Sequence, residues 1–130
     1  MRRCGLLGQK LSHSYSPSIH EAFGGYSYEL FEIEPEGLAE FMSRQDIHGF
    51  NVTIPYKRDV IPFCDELSSV AKSIGSVNTV LRREDGSLYG DNTDAYGFSS
   101  LVKQSGIDVR LKKVLILDLF NPHFILLQKR

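Results

Sequence analysis

Gly49-Phe50-Asn51-Val52-Thr53-Ile54-Pro55-Tyr56-Lys57 reads as a short buried strand whose end delivers an amide, a hydroxyl and an amine within a few residues. Side chains on an extended backbone alternate between faces, so Asn51 and Thr53 share one side of the strand. Pro55 has no N–H to donate and stops the ladder, turning the chain. Lys57 falls just beyond that turn, near the carboxyl end of the strand, where open α/β sheets place their ligands. Taken alone, a lysine after a strand is most often a solvated charge, so the rest of the chain has to decide what this one does.

Around this stretch, strand and helix patterns alternate. Cys4 to Leu7 is an apolar run ended by Gly8, and Tyr26 to Ile33 alternates apolar and polar residues as a strand does. Between them Ser16-Pro17 looks like a helix start, with Ser16 as N-cap and Pro17 at the first helical position. Ile19, Ala22 and Phe23 follow at helical spacing, and Gly24-Gly25 ends the element. Pro35-Glu36 opens a second helix with Leu38, Phe41 and Met42 as its buried stripe. Two short helices, broken at Pro62, are expected between Tyr56 and Ser73, the second turning Leu67, Val70 and Ala71 inward.

Val77 to Arg82, the turn Asp85-Gly86 and Leu88-Tyr89 form a hairpin pattern. Asp94 to Ser105 reads as a helix with Phe98, Leu101 and Val102 facing the core and Gly106 at its end. Val114 to Leu117 is a last apolar strand. The expected fold class is α/β, a mixed, mainly parallel sheet flanked by helices.

Fifteen basic and sixteen acidic residues leave a net charge of −1, and no block of Lys or Arg stands out. That balance argues against nucleic acid and anionic membranes as partners. Cys4 and Cys64 form no C-x-x-C pair, which points to reduced, packed thiols rather than a zinc site or a disulfide scaffold. The apolar stretch after Arg2-Arg3 breaks at Gly8-Gln9-Lys10, too short for a signal peptide or a membrane span, so a cytoplasmic location is expected.

Four polar clusters sit at strand ends or helix starts. They are Ser14-Tyr15-Ser16-Pro17, the group Asn51, Thr53 and Lys57, Gly75-Ser76-Val77-Asn78-Thr79, and Gly90-Asp91-Asn92-Thr93-Asp94. Each has a plain structural reading. Ser16 caps a helix, Asn78 bonds its own loop, and Thr93 or Asp94 is an N-cap. Together they also offer hydroxyls, amides, an amine and a carboxylate, the means for acid–base work on a hydroxyl or carbonyl of an oxygen-rich ligand. His13, His20, His48 and His123 are scattered, so no metal site is expected. There is no G-x-S-x-G elbow and no Walker loop.

These four motifs, in this order and spacing, resemble shikimate dehydrogenase over roughly residues 4–117. The resemblance implies NADP-dependent, reversible interconversion of 3-dehydroshikimate and shikimate, a step of aromatic amino-acid biosynthesis leading to chorismate. It implies that Ser14 and Ser16 bind the substrate carboxylate, while Thr53, Asn78 and Asp94 hold ring hydroxyls. Lys57 becomes the catalytic acid/base, paired with Asp94, and Asn51 supports the strand. Quinate is a related substrate.

By the same resemblance, residues 1–112 form the substrate-binding domain and 113–130 the start of an NADP-binding domain, with Val114 to Leu117 as one stray strand of a missing Rossmann domain. A Rossmann strand runs into a glycine-rich turn that lets the backbone approach a pyrophosphate. Here the strand runs into Asp118-Leu119-Phe120-Asn121-Pro122-His123, and no glycine follows Gly106. The expectation is a truncated or frame-shifted product, inactive alone and without cofactor-binding residues. The alternative is a non-catalytic shikimate-binding or interaction module.

Overall fold

The computed structural model of the protein describes residues 2–108, 114–116 and 125–127. Within these, two compact units are drawn, Met1–Tyr96 and Gly97–Arg130.

The first unit is built on β1 (Arg2–Gly8), which pairs in parallel with two other strands. A crossover through α1 (Ser16–Phe23) leads to β2 (Tyr26–Glu32) on one side of β1. A second crossover through α2 (Leu38–Ser43) leads back past β1 to β3 (Gly49–Val52) on its other side. The two crossovers run in opposite directions along the sheet, and connections of the usual right hand then put their helices on opposite faces. The chain then passes through β4 (Glu66–Leu67) and α3 (Ser69–Ile74) into the antiparallel hairpin β5 (Thr79–Arg82) and β6 (Leu88–Asp91). The six strands lie in the order β2-β1-β3-β5-β6-β4, with β3–β5 and β5–β6 antiparallel and the other three pairs parallel. The sheet is therefore mixed and mainly parallel, as the sequence pattern indicates.

Register divides the sheet into an apolar and a polar face. Leu7 stands opposite Phe31 and Val52, and Phe50 opposite Val80. All of these point into the core with Leu38, Phe41 and Met42 of α2 and Ala71 of α3. Burying an aliphatic or aromatic side chain of this size contributes roughly 1.5–3 kcal/mol. On the other face, Leu6 stands opposite Asn51, Asn51 opposite Thr79, and Thr79 opposite Asp91. Gly8 belongs to this second face, where an added Cβ would lie 2.6 Å from Leu11 Cδ2 and 2.8 Å from Thr53 Cγ2. Only a glycine lets the end of β1 come that close.

Several local expectations are corrected. Ser16 is not an N-cap: Tyr15 occupies that place, Ser16 is already helical, and Ser14 Oγ accepts from the Ser16 N–H at 3.2 Å. No residue of α1 is buried, and Ile19 and Phe23 are exposed. Helix α2 begins as a 3₁₀ turn at Pro35–Gly37 before its α-helical part. The first of the two short helices after Tyr56 is only a 3₁₀ turn, Ile61–Phe63, preceded by turns with a cis Ile54–Pro55 peptide bond. Leu67 lies in β4, which the sequence pattern does not reveal, and Val70 is exposed while Ala71 is buried.

Among the described residues no helix is long and apolar enough to cross a membrane. Both cysteines are free thiols, and burial pushes Cys64 up to about 11.

Helix α4 (Asp94–Gln104) continues into the second unit, and Phe98 and Leu101 are exposed rather than core-facing. Helical spacing defines a face but does not provide the partner that would bury it. In the second unit β7 (Val114–Ile116) pairs antiparallel with β8 (Ile125–Leu127), a strand the sequence pattern does not reveal. Leu117, the proposed border at 112/113 and the run Asp118 to His123 lie outside the described residues.

Candidate active site

The polar face opens into a cavity of about 700 Å³ at the carboxyl ends of β1 and β3. Ser14, Ser16, Asn51, Thr53, Lys57, Asn78 and Asp94 all line it. Every site residue expected from the sequence thus borders one space, although they come from segments up to 80 positions apart (94 − 14). Lys10, Leu11, Ser12 and His13 complete the wall contributed by the loop between β1 and α1.

Lys57 Nζ stands 2.6 Å from Asp94 Oδ2, with the lysine side chain 34 % and the carboxylate 56 % exposed. An ion pair this open contributes roughly 0–1 kcal/mol to stability. Its placement is therefore not accounted for by folding. What it offers is a proton donor and an acceptor side by side, both accessible to a ligand. The backbone fixes the amine's base from two directions: the Tyr56 N–H donates to Thr53 O, and the Val77 N–H donates to Lys57 O at 2.8 Å.

The amides and hydroxyls beside it form one chain of hydrogen bonds. Tyr28 Oη donates to Asn51 Oδ1 at 2.8 Å, and Asn51 Nδ2 donates to Thr79 Oγ1 at 3.3 Å. Thr79 Oγ1 in turn donates to Asn78 Oδ1 at 3.0 Å. The Thr93 N–H also donates to Asn78 Oδ1, at 2.9 Å, and Asn78 Nδ2 donates to Thr93 Oγ1 at 2.9 Å. Asn78 is buried, and its amide is held by the adjoining Thr79 and by Thr93 from the turn before α4. Asn51 is held between Tyr28 and Thr79.

The cap of α4 differs from the expectation of Thr93 or Asp94. Asn92 is buried, its Oδ1 accepts from the Ala95 N–H at 3.2 Å, and its Nδ2 donates to Ser76 O at 3.0 Å. Asn92 takes up the orphan donor of the helix, which leaves the Asp94 carboxylate free for Lys57.

Tyr28 does not line the cavity but backs it through Asn51, a link that sequence reasoning missed. Its ring stacks on His20 at a centroid distance of 3.7 Å, and His20 Nδ1 lies 2.7 Å from Tyr26 Oη. Burial, with smaller contributions from Tyr26 and Cys4, pushes the Tyr28 hydroxyl up to about 12, while a hydrogen bond with Ser16 works against it. Burial also holds the His20 imidazole below its ordinary value. Alternation in β2 marks Tyr28 as sharing a face with Tyr26, but only the strand order β2-β1-β3 shows that this face meets Asn51.

Among the described residues no group of three or more His, Cys, Asp or Glu is gathered as a metal site requires. Nor do the described residues fit a dinucleotide. No strand among them passes through a glycine-rich turn into a helix, and the turns entering α1, α3 and α4 carry Tyr15, Ser68 and Asn92.

Comparison with known proteins agrees with this geometry. The family described as the shikimate dehydrogenase substrate binding domain matches residues 6–80. A shikimate dehydrogenase (NADP(+)) of Clostridium beijerinckii is 45% identical over 121 residues, which cover 87% of this chain and 44% of that protein. Among solved structures, shikimate dehydrogenase 1 from Peptoclostridium difficile superposes with a TM-score of 0.79 at 42% identity, over 85% of this chain and 44% of the other. The Thermus thermophilus shikimate 5-dehydrogenase in complex with NADP(H) and shikimate gives a TM-score of 0.75 at 39% identity, over 84% and 44%. The chain spans less than half the length of the relatives it matches.

Proposed function

The chain belongs to the family of shikimate dehydrogenase substrate-binding domains, and we propose that it is the part of such an enzyme that holds shikimate or 3-dehydroshikimate. One observation carries this reading: the Lys57–Asp94 pair opens onto the same cavity as Ser14, Ser16, Thr53 and Asn78. The relatives are named as NADP-dependent dehydrogenases, and the Thermus protein binds shikimate beside NADP(H).

In this proposal Ser14 and Ser16 donate to the ligand carboxylate. Thr53, Asn78 and Asp94 bond its ring hydroxyls, and Asn51 keeps the strand end in shape. Lys57 is the acid/base: in reduction its ammonium gives a proton to the oxygen that becomes the alcohol, and in oxidation its amine takes that proton back. Asp94 holds the amine in place and stabilises its charged form as the proton returns. Such proton transfer accounts for a factor of about 10²–10⁴ in rate. Hydride transfer is not assigned to these residues, because they do not fit the cofactor. A reducing, cytoplasmic setting suits the two packed thiols.

Calorimetric titration of the chain with shikimate tests the proposal. Saturable binding, weakened at least tenfold in Asn78→Ala, is the expected outcome, with quinate binding less tightly. Heat no larger than that of dilution at millimolar shikimate would refute it. The run Asp118 to His123, standing where a dinucleotide-binding strand would enter a glycine-rich turn, favours a second reading, a shikimate-binding module without catalysis. Incubation with shikimate and NADP+ separates the two: no absorbance at 340 nm is expected from this chain, and NADPH formation would overturn its assignment as inactive alone.

A further inference from the structure

The site proposed above must hold a carboxylate, yet its nearest expected partners, Ser14 and Ser16, are neutral. An anion leaving water is poorly compensated by hydroxyls alone, and a charged donor makes a stronger hydrogen bond. The cavity lining has two lysines and one carboxylate. Lys57 and Asp94 are engaged with one another at 2.6 Å. The remaining positive charge is Lys10, on the loop that carries Ser14 and leads into α1 at Ser16. Among the described residues its amine has no ion-pair or hydrogen-bond partner.

The backbone on either side of Lys10 is tied down. The Gln9 N–H donates to Ile54 O at 3.4 Å, and the Leu11 N–H donates to Glu32 Oε1 at 2.6 Å. The Gln9 side chain donates to Glu34 Oε2 at 2.8 Å. Glu32 is thereby engaged with the backbone of the next residue, and Glu34 with the side chain of the one before. The Cα of Lys10 is held at the cavity rim while its four-carbon stem stays free to swing the ammonium toward a ligand.

We propose that Lys10 is a specificity-determining residue that supplies the counter-charge for the ligand's carboxylate, so that the cavity favours an anionic polyol over its neutral counterpart. This rests on the reading of the cavity as a shikimate site. The ammonium approaches the carboxylate from the solvent side of Ser14 and Ser16, where screening keeps the gain moderate.

The test titrates the whole chain with shikimate and with shikimate methyl ester, which keeps the ring hydroxyls and lacks the charge. His13, the other ionisable group on this loop, is held constant by working at one pH throughout. Lys10→Gln is expected to weaken shikimate binding about three- to tenfold and to leave binding of the ester within about twofold. Lys10→Arg should restore shikimate binding, and the wild-type preference for acid over ester should shrink as salt rises. Equal weakening of both ligands in Lys10→Gln, or no change in either, overturns the role of Lys10 and leaves the site itself intact. Failure of the wild-type chain to bind either ligand overturns the site and Lys10 together.

Discussion

The two walls of the cavity are made differently. On the sheet side Asn51 and Asn78 are locked by side-chain hydrogen bonds to Thr79 and Thr93, and strand register sets Asn51 opposite Thr79. On the loop side Lys10, Ser12, His13 and Ser14 are held through the backbone, by Leu11 N–H on Glu32 and Ser14 N–H on Leu11 O, and Ser16 follows at the start of α1. Here Ser14 Oγ accepts from the Ser16 N–H and Ser16 bonds Tyr28, while the Lys10 amine has no partner among the described residues. A pinned wall can fix the orientation of a ring whose hydroxyls differ only in direction. A loop wall with free side chains can close on a charged group at the ring's edge. Precision and adaptability are divided between secondary structure and loop.

The sharpest contrast comes from removing one polar group from each wall. Asn78→Ala strips partners from Thr79 and Thr93 at a buried point, and should lower the free energy of unfolding by about 2–3 kcal/mol. Ser14→Ala should change stability by less than about 0.5 kcal/mol and act on shikimate affinity instead. Urea denaturation of both variants checks the pair; equal stability losses would erase the distinction between the walls.

Gly8→Ala attacks the seam where the walls meet. The added methyl meets Leu11 of the loop and Thr53 of the strand end at once. A cost of about 1–2 kcal/mol is expected, accompanied by weaker ligand binding, since relief requires one wall to move. A thermal melt with unchanged midpoint would show that the seam is looser than its distances.

The smallest effect is expected far from the cavity, where Arg3 binds Glu29 and Asp46 and Arg44 binds Asp46 on the surface. Hydrogen bonding to Arg3 holds Glu29 below its ordinary 4.5, and hydrogen bonding to Arg44 holds Asp46 below its ordinary 3.8. Depressed carboxylates stabilise the fold above those ordinary values, and that contribution fades as pH falls through and below them. Denaturant midpoints measured from pH 6 to pH 3 should drop less in Asp46→Asn than in the wild type. Identical pH profiles would show that these pairs add nothing.

Much of this was legible in the sequence because alternation and glycine placement are local signals. Asn51 and Thr53 share a face, Leu38, Phe41 and Met42 are a buried stripe, and Asp85-Gly86 turns a hairpin, all as their spacing dictates. What escaped depends on partners distant in sequence. Tyr28 reaches Asn51 only because β1 lies between β2 and β3. Glu66–Leu67 is a strand only because β6 is there to pair with it. Asn92 displaced Thr93 as the cap because Ser76 O and the Ala95 N–H both lie within reach of its amide. Ile19 and Phe23 have helical spacing, but spacing alone does not bury them.

The central claim is that both walls serve one ligand, shikimate, in one cavity. Mapping backbone amide chemical shifts of the isotopically labelled chain during titration with shikimate tests it most directly. Concerted, saturable shifts are predicted on the loop around Ser14 and Ser16 and on the sheet side at Thr53, Lys57, Asn78 and Asp94, all fitting a single dissociation constant. Shifts confined to one wall, fitting different constants, or absent at millimolar shikimate would contradict it.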